Sequence, residues 1–237
     1  MNRHLIVIEG TDGSGKSTQA QLTYEAIVAA GADVKRLTFP RYKDDSSMLV
    51  RMYLRGDFGT HPEDVNPYAA STFYAADRYA SFKTDWQKDW ELGKVIFCDR
   101  YTTSNAVHQS SKLPEEQLEP FTEWLFDYEY NLLGLPAPTC VIFLDMPPLM
   151  SFKMLEKRQG ETGDIHELDH GYLIRCHQRA LKVCEKYGWH RIPCVEDGKI
   201  RSIEEINRDI LKIVLKEIRE DRSGAAFSPL SSLFSGG

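Results

Sequence analysis

Short runs of almost wholly apolar residues alternate with longer stretches whose apolar residues recur every three or four positions. Leu5-Ile6-Val7-Ile8 has the continuous apolar character of a strand buried on both faces. Residues 33–39, 94–98, 139–144 and 189–194 read as further strands. Between them the 3.6-residue period predicts helices over 17–30, 104–110, 114–133, 149–158 and 168–187. Gly31 sits where a helix takes its C′ glycine. Asn66-Pro67 supplies an N-cap and a proline at N1 for a long helix running through Phe73, Phe82 and Trp86 toward Gly93. Ser202-Ile203-Glu204-Glu205 is a capping box opening a last helix to about Arg219. Its apolar stripe is Ile203, Ile206, Ile210, Ile213, Val214 and Ile218. Met48–Leu54 is a short apolar stretch whose pattern assigns it no element.

Strands alternating with helices imply an α/β fold, a parallel sheet of about five strands with helices on both faces. One domain over 1–222 is expected, with a mobile lid at about 153–168 and an unfolded Ser- and Gly-rich tail at 223–237. In such sheets ligands bind at the carboxyl ends of the strands. Gly10, Phe39-Pro40-Arg41 and Asp99-Arg100 all fall there.

Between the first strand and first helix lies Gly10-Thr11-Asp12-Gly13-Ser14-Gly15-Lys16-Ser17-Thr18, which fits G-x-x-x-x-G-K-[ST]. Glycines let successive N–H groups wrap a phosphate, and the helix start adds positive charge. Lys16 can reach the β- and γ-phosphates and the Ser17 hydroxyl can ligate Mg²⁺. A P-loop NTPase fold binding a nucleoside triphosphate follows from this strand, loop and helix together. A bare glycine turn would not need that flanking order.

Apolar residues make up 42% and charged residues 27%, ordinary for a globular chain. With a net charge of −6 there is no global basic field for nucleic acid, so any phosphate site must be a local cluster of Lys and Arg. The five cysteines show no C-x-x-C spacing and the seven histidines no H-E-x-x-H, which argues for reduced thiols and no structural zinc. No apolar run has transmembrane length, and no signal-peptide apolar core precedes Asp12, so a cytoplasmic protein is expected.

Arg41, Arg78 and Arg100 lie near strand ends, and a guanidinium fork suits phosphate oxygens. Tyr74 and Arg78 share a helix face at i,i+4. They could stack on a base and bond its edge. Equally, Tyr74 could be core and Arg78 a surface ion-pair partner.

Four landmarks in order carry a resemblance: Glu9 to Gln19, Phe39-Pro40-Arg41-Tyr42, Phe73-Tyr74-Ala75-Ala76-Asp77-Arg78 and Asp99-Arg100-Tyr101-Thr102-Thr103-Ser104-Asn105. From Leu5 to about Cys194 the chain resembles the thymidylate kinase family of nucleoside monophosphate kinases. The resemblance implies ATP and dTMP as substrates, Mg²⁺, no nucleic-acid or membrane partner, and a homodimer. It places Asp12 on the deoxyribose 3′-hydroxyl, Phe39 in the acceptor pocket and Arg41 on its phosphate. Tyr74 would stack on thymine and Arg78 bond it, Ser104 and Asn105 would line the pyrimidine pocket, and Arg100 would grip the acceptor phosphate. Asp99 would act near Mg²⁺.

Two departures from the family pattern matter. Gly13 stands where some members carry a loop arginine, which shifts that role to Arg158 of the lid, with Lys157 or Lys153 assisting. Glu167 would either orient those contacts or sit solvated. His108 replaces a tyrosine near the sugar, and is either a contact at the 2′ position or a surface histidine. The competing activities are a deoxynucleoside kinase and a noncatalytic P-loop nucleotide-binding protein. The former needs a carboxylate base near the end of strand two, where Arg41 stands instead. The latter would have little use for Lys16, Asp99 and Arg100. A GTP-dependent switch would need an Asn-Lys-x-Asp motif, which the sequence lacks.

Overall fold

The computed structural model describes residues 3–159, 166 and 169–220, with backbone alone at 157–159 and 220. Five strands form one parallel sheet: β1 (Leu5–Gly10), β2 (Val34–Thr38), β3 (Val95–Asp99), β4 (Cys140–Asp145) and β5 (His190–Pro193), in the order β2-β3-β1-β4-β5. Leu5 pairs with Ile96 and Ile8 with Asp99 across β1 and β3, while Ile6 pairs with Cys140 across β1 and β4.

Alternation along the strands divides the core in two. Ile6, Ile8, Phe97, Ile142 and Leu144 face one side, against α1 (Lys16–Ala29) and α9 (Ile203–Glu220). Leu5, Val7, Ile96, Cys98 and Val141 face the other, where Phe39, Trp86 and Tyr101 pack. The central strands are therefore apolar on both faces, as their uninterrupted runs predict. All five cysteines are free and buried.

The remaining helices are α2 (Met48–Leu54), α3 (Pro67–Ser81), α4 (Gln87–Glu91), α5 (Thr102–His108), α6 (Leu118–Phe126), α7 (Pro148–Gln159) and α8 (His170–Tyr187). Asn66 caps α3 by accepting from the backbone N–H of Tyr68 at 2.8 Å. The Ser202–Glu205 capping box is present: Ser202 N–H donates to Glu205 at 2.9 Å and Glu205 N–H to Ser202 Oγ at 3.2 Å.

Several expectations need correction. The unassigned stretch at 48 is the helix α2, with Val50, Tyr53 and Leu54 buried. The helix expected from 66 toward Gly93 is broken by a π-helical turn, Phe82–Trp86, which resets its phase so that both aromatic rings reach the core. The one expected over 114–133 starts as a 3₁₀ turn, narrows to α6, and ends in a π segment, Asp127–Leu132. Ile203 does not join the buried stripe of α9; it is 48% exposed. It sits in the first turn, where its carbonyl accepts from Gln19 Nε2 at 2.9 Å. A small hairpin of β6 (Val195–Glu196) and β7 (Lys199–Ile200) precedes α9 and was not foreseen. Among the described residues no helix is long and apolar enough to cross a membrane. Most of the expected lid, and the tail at 223–237, lie outside the described residues.

Candidate active site

The phosphate loop leaves β1 at Gly10 and enters α1 at Lys16. Gly13 and Gly15 have φ of +78° and +79°, a region side chains rarely adopt. A Cβ on Gly13 would lie 2.5 Å from the carbonyl oxygen of Ser151, so α7 rests directly on the loop. Thr11 to Thr18, with Arg100, Met154 and Leu155, wall one cavity. This is where a chain of N–H groups at a helix start receives phosphate.

Lys16 in that loop is ion-paired with Asp99, at the end of the neighbouring strand β3. Burial, then the repulsion of Arg100, push the lysine's pKa down, and Asp99 opposes them. Arg100, next in the chain, has φ +68° and is bonded to Asp12 of the loop. Burial opposes charge on Asp12, but Arg100 outweighs it, together with smaller contributions from His108, His166 and Lys16, and holds the carboxyl at about 2. Asp12 is thus a fixed anion and a pure acceptor.

A second cavity opens on the far side of this pair. Asp12, Phe39, Tyr42, Tyr74, Arg78, Arg100, Ser104, Asn105 and His108 line it, and the Phe39–Pro40 peptide at its wall is cis. Asp12 and Arg100 belong to both cavities. The fold therefore brings two pockets together at one carboxylate and one guanidinium.

His108 is buried, which excludes the surface alternative. Arg100 Nη1 donates to its Nε2 at 3.0 Å. A guanidinium only donates, so Nε2 accepts and the ring proton sits on Nδ1, 3.5 Å from Cys176 Sγ. Burial first, and Arg100 second, lower the His108 pKa to about 4. The imidazole is neutral at physiological pH.

Arg78 is also no surface residue, being 1% exposed. Its Nε and Nη2 donate to Glu129 at 2.7 and 2.5 Å, and Thr102 Oγ1 donates to the same carboxylate at 2.7 Å. One edge of the guanidinium is committed to Glu129 while the residue still lines the cavity beside Tyr74. Ser104 Oγ donates to Glu9 at 2.7 Å, and Asn105 Nδ2 lies 3.5 Å from the Ser71 carbonyl.

Arg41 stands apart from the other expected residues. Arg41 does not wall the cavity: its guanidinium is paired with Asp44, and its backbone N–H donates to Asp77 at 2.8 Å. The side chains of Lys157 and Arg158, and the whole of Glu167, lie outside the described residues, while Lys153 is exposed on α7. Conversely, Leu54, Gln109 and His166 line the cavity although no local motif marks them. So does Tyr42, which closes the Phe39-Pro40-Arg41-Tyr42 segment. Glu129 was invisible for a plain reason: a carboxylate within a predicted helix carries no local signal that an arginine 51 residues away will meet it.

A phosphate-loop motif on a parallel sheet, abutting a second pocket of aromatic and charged residues at the strand ends, places the chain in the class of P-loop nucleotide-binding folds. Comparison with known proteins narrows this. The family profile described as Thymidylate kinase matches residues 8–210. A thymidylate kinase of Mycobacterium tuberculosis is 35% identical over 141 residues, 59% of this chain and 64% of that protein. Probable thymidylate kinases of Pyrococcus abyssi and Thermococcus onnurineus are 29% and 30% identical, covering 92% and 90% of this chain and 98% of each relative. The chain belongs to the thymidylate kinase family, whose members are ATP-dependent nucleotide kinases.

Proposed function

We propose that this protein transfers the γ-phosphoryl group of ATP to the phosphate of dTMP, giving dTDP and ADP. The observation that carries the reading is the meeting of the loop cavity and the second cavity at Asp12 and Arg100. A donor triphosphate in the first and a monophosphate in the second would place their reacting groups at that junction. Arg100 then neutralises charge shared by both, and Lys16 does so from the loop. The acceptor oxygen belongs to an ionised phosphate, so no general base is required, and the chemistry reduces to positioning and charge neutralisation.

In this reading Phe39, Tyr74, Arg78, Ser104 and Asn105 hold the pyrimidine, Asp12 accepts from the 3′-hydroxyl, and His108 borders the sugar. Ser17 and Asp99 offer a hydroxyl and a carboxylate, hard oxygen donors that suit Mg²⁺. When bound with ATP, that ion supplies charge neutralisation across the phosphates. Arg41 would reach the acceptor phosphate by leaving Asp44, and Arg158 would add a cation from the end of α7. A homodimer and a cytoplasmic location go with the family reading.

A coupled ADP-release assay with ATP, Mg²⁺ and, in turn, dTMP, dUMP, UMP, dCMP and thymidine tests this. Turnover should be fastest with dTMP and absent with thymidine. Phosphorylation of thymidine would refute the monophosphate acceptor and favour a deoxynucleoside kinase.

A further inference from the structure

We propose that Glu9 is a positioning residue for Arg100: its buried carboxylate locks the turn that aims the guanidinium at the junction of the two cavities. The inference rests on the kinase reading, but it adds a residue that lines neither cavity.

Glu9 lies near the end of β1 and is 2% exposed. A carboxylate is not buried without compensation. Here three donors supply it, all from residues 101–104: Tyr101 N–H at 3.2 Å and Thr103 Oγ1 at 2.6 Å on one oxygen, and Ser104 Oγ at 2.7 Å on the other. These residues follow Arg100 directly and begin α5.

Arg100 needs such a brace. Its φ of +68° is a conformation that residues with a Cβ rarely adopt, and it persists only where the surroundings over-determine it. Its own N–H donates to the Ile8 carbonyl at 3.2 Å, and the next N–H, that of Tyr101, goes to Glu9. Consecutive N–H groups on either side of the unusual φ are therefore both held by β1, one through backbone and one through the Glu9 side chain. At its other end the guanidinium is held by Asp12 and His108. Burial raises the Glu9 pKa, while Arg100 and the Thr103 and Ser104 hydroxyls work against that rise.

The experiment uses full-length wild type, Glu9→Gln, Glu9→Ala, Arg100→Ala and both Glu9 variants combined with Arg100→Ala. Steady-state constants for each substrate, ATP affinity and melting temperature are measured. Glu9→Ala should lower kcat/KM for the acceptor by about 10- to 100-fold while leaving the ATP KM within about twofold. Glu9→Gln, which keeps one acceptor oxygen, should fall between. In the Arg100→Ala background neither change should cost more, because the two residues act as one unit. Losses that multiply in the double variants, or unchanged acceptor kinetics in a folded Glu9 variant, would overturn the proposal. Should Glu9→Ala fail to fold, the isosteric Gln variant gives the same two readouts. The wild-type acceptor profile judges the kinase reading separately, and the variants are scored on whichever monophosphate the wild type phosphorylates.

Discussion

His108 shows how one side chain's chemistry is decided by its neighbours. A free imidazole titrates near 6.5, but burial and the adjacent guanidinium hold this one at about 4. Between these values the unfolded chain binds a proton that the folded chain refuses. Stability is thus fully present above pH 6.5 and is lost as pH falls toward 4. For a shift of this size the loss is on the order of 3 kcal/mol. His166, also buried and shifted down, adds in the same direction. The melting temperature of the wild type should fall over that interval, and His108→Phe should fall less steeply. Parallel curves for the two proteins would assign the slope elsewhere. Because Nε2 is occupied by Arg100, the same substitution should also weaken the acceptor's binding through Arg100.

The contact between α7 and the phosphate loop shows how one element constrains another. Gly13 fits beneath α7 because it has no side chain: a methyl there would meet the Ser151 carbonyl and Leu155. Its φ of +78° adds a second objection to any Cβ. Gly13→Ala should displace either the loop or α7, lower kcat by about 10-fold or more, and cost about 1 kcal/mol or more of stability. Steady-state kinetics beside a thermal melt check it, and full activity would mean that the loop adapts without α7. A comparable dependence joins α3 to the π segment at 127–132, which is what presents Glu129 to Arg78. An ordinary helical phase would carry that carboxylate elsewhere.

The sheet supports the site from below, and much of that support comes from the far end of the chain. Helix α9 lays Ile206, Ile210, Val214 and Ile218 against the face shared with α1, the helix that follows the glycine-rich loop. Asn207 Nδ2 also donates to Gln19 and Thr23 at 3.1 and 3.0 Å. Ile210 is fully buried, and Ile210→Ala should cost about 2–5 kcal/mol. Ile203→Ala, at the exposed start of the same stripe, should change stability by no more than about 0.5 kcal/mol. Denaturant unfolding of the two variants tests this assignment, and equal losses would contradict the burial pattern.

Local pattern carried much of this protein. The order of strands and helices, the phosphate loop, the Asn66 cap and the Ser202 capping box depend on neighbours within a few residues. They could be read directly because hydrophobic period and turn chemistry act at that range. The Asp-Arg-Tyr and Phe-Pro-Arg segments could be placed at strand ends for the same reason. What could not be read depends on partners far apart in sequence. The coupling of Arg78 to Glu129, of Arg100 to Asp12, and of Glu9 to the turn at 101–104 spans 51 to 95 residues. Nor does periodicity reveal the π turns, since a helix that gains one residue in a turn keeps its apolar composition and changes only its phase. Sequence thus determined most of the elements and the class of chemistry. Tertiary packing decided which charges are buried, which are neutral and which way each guanidinium points, because desolvation and hydrogen-bond geometry exist only once distant segments meet.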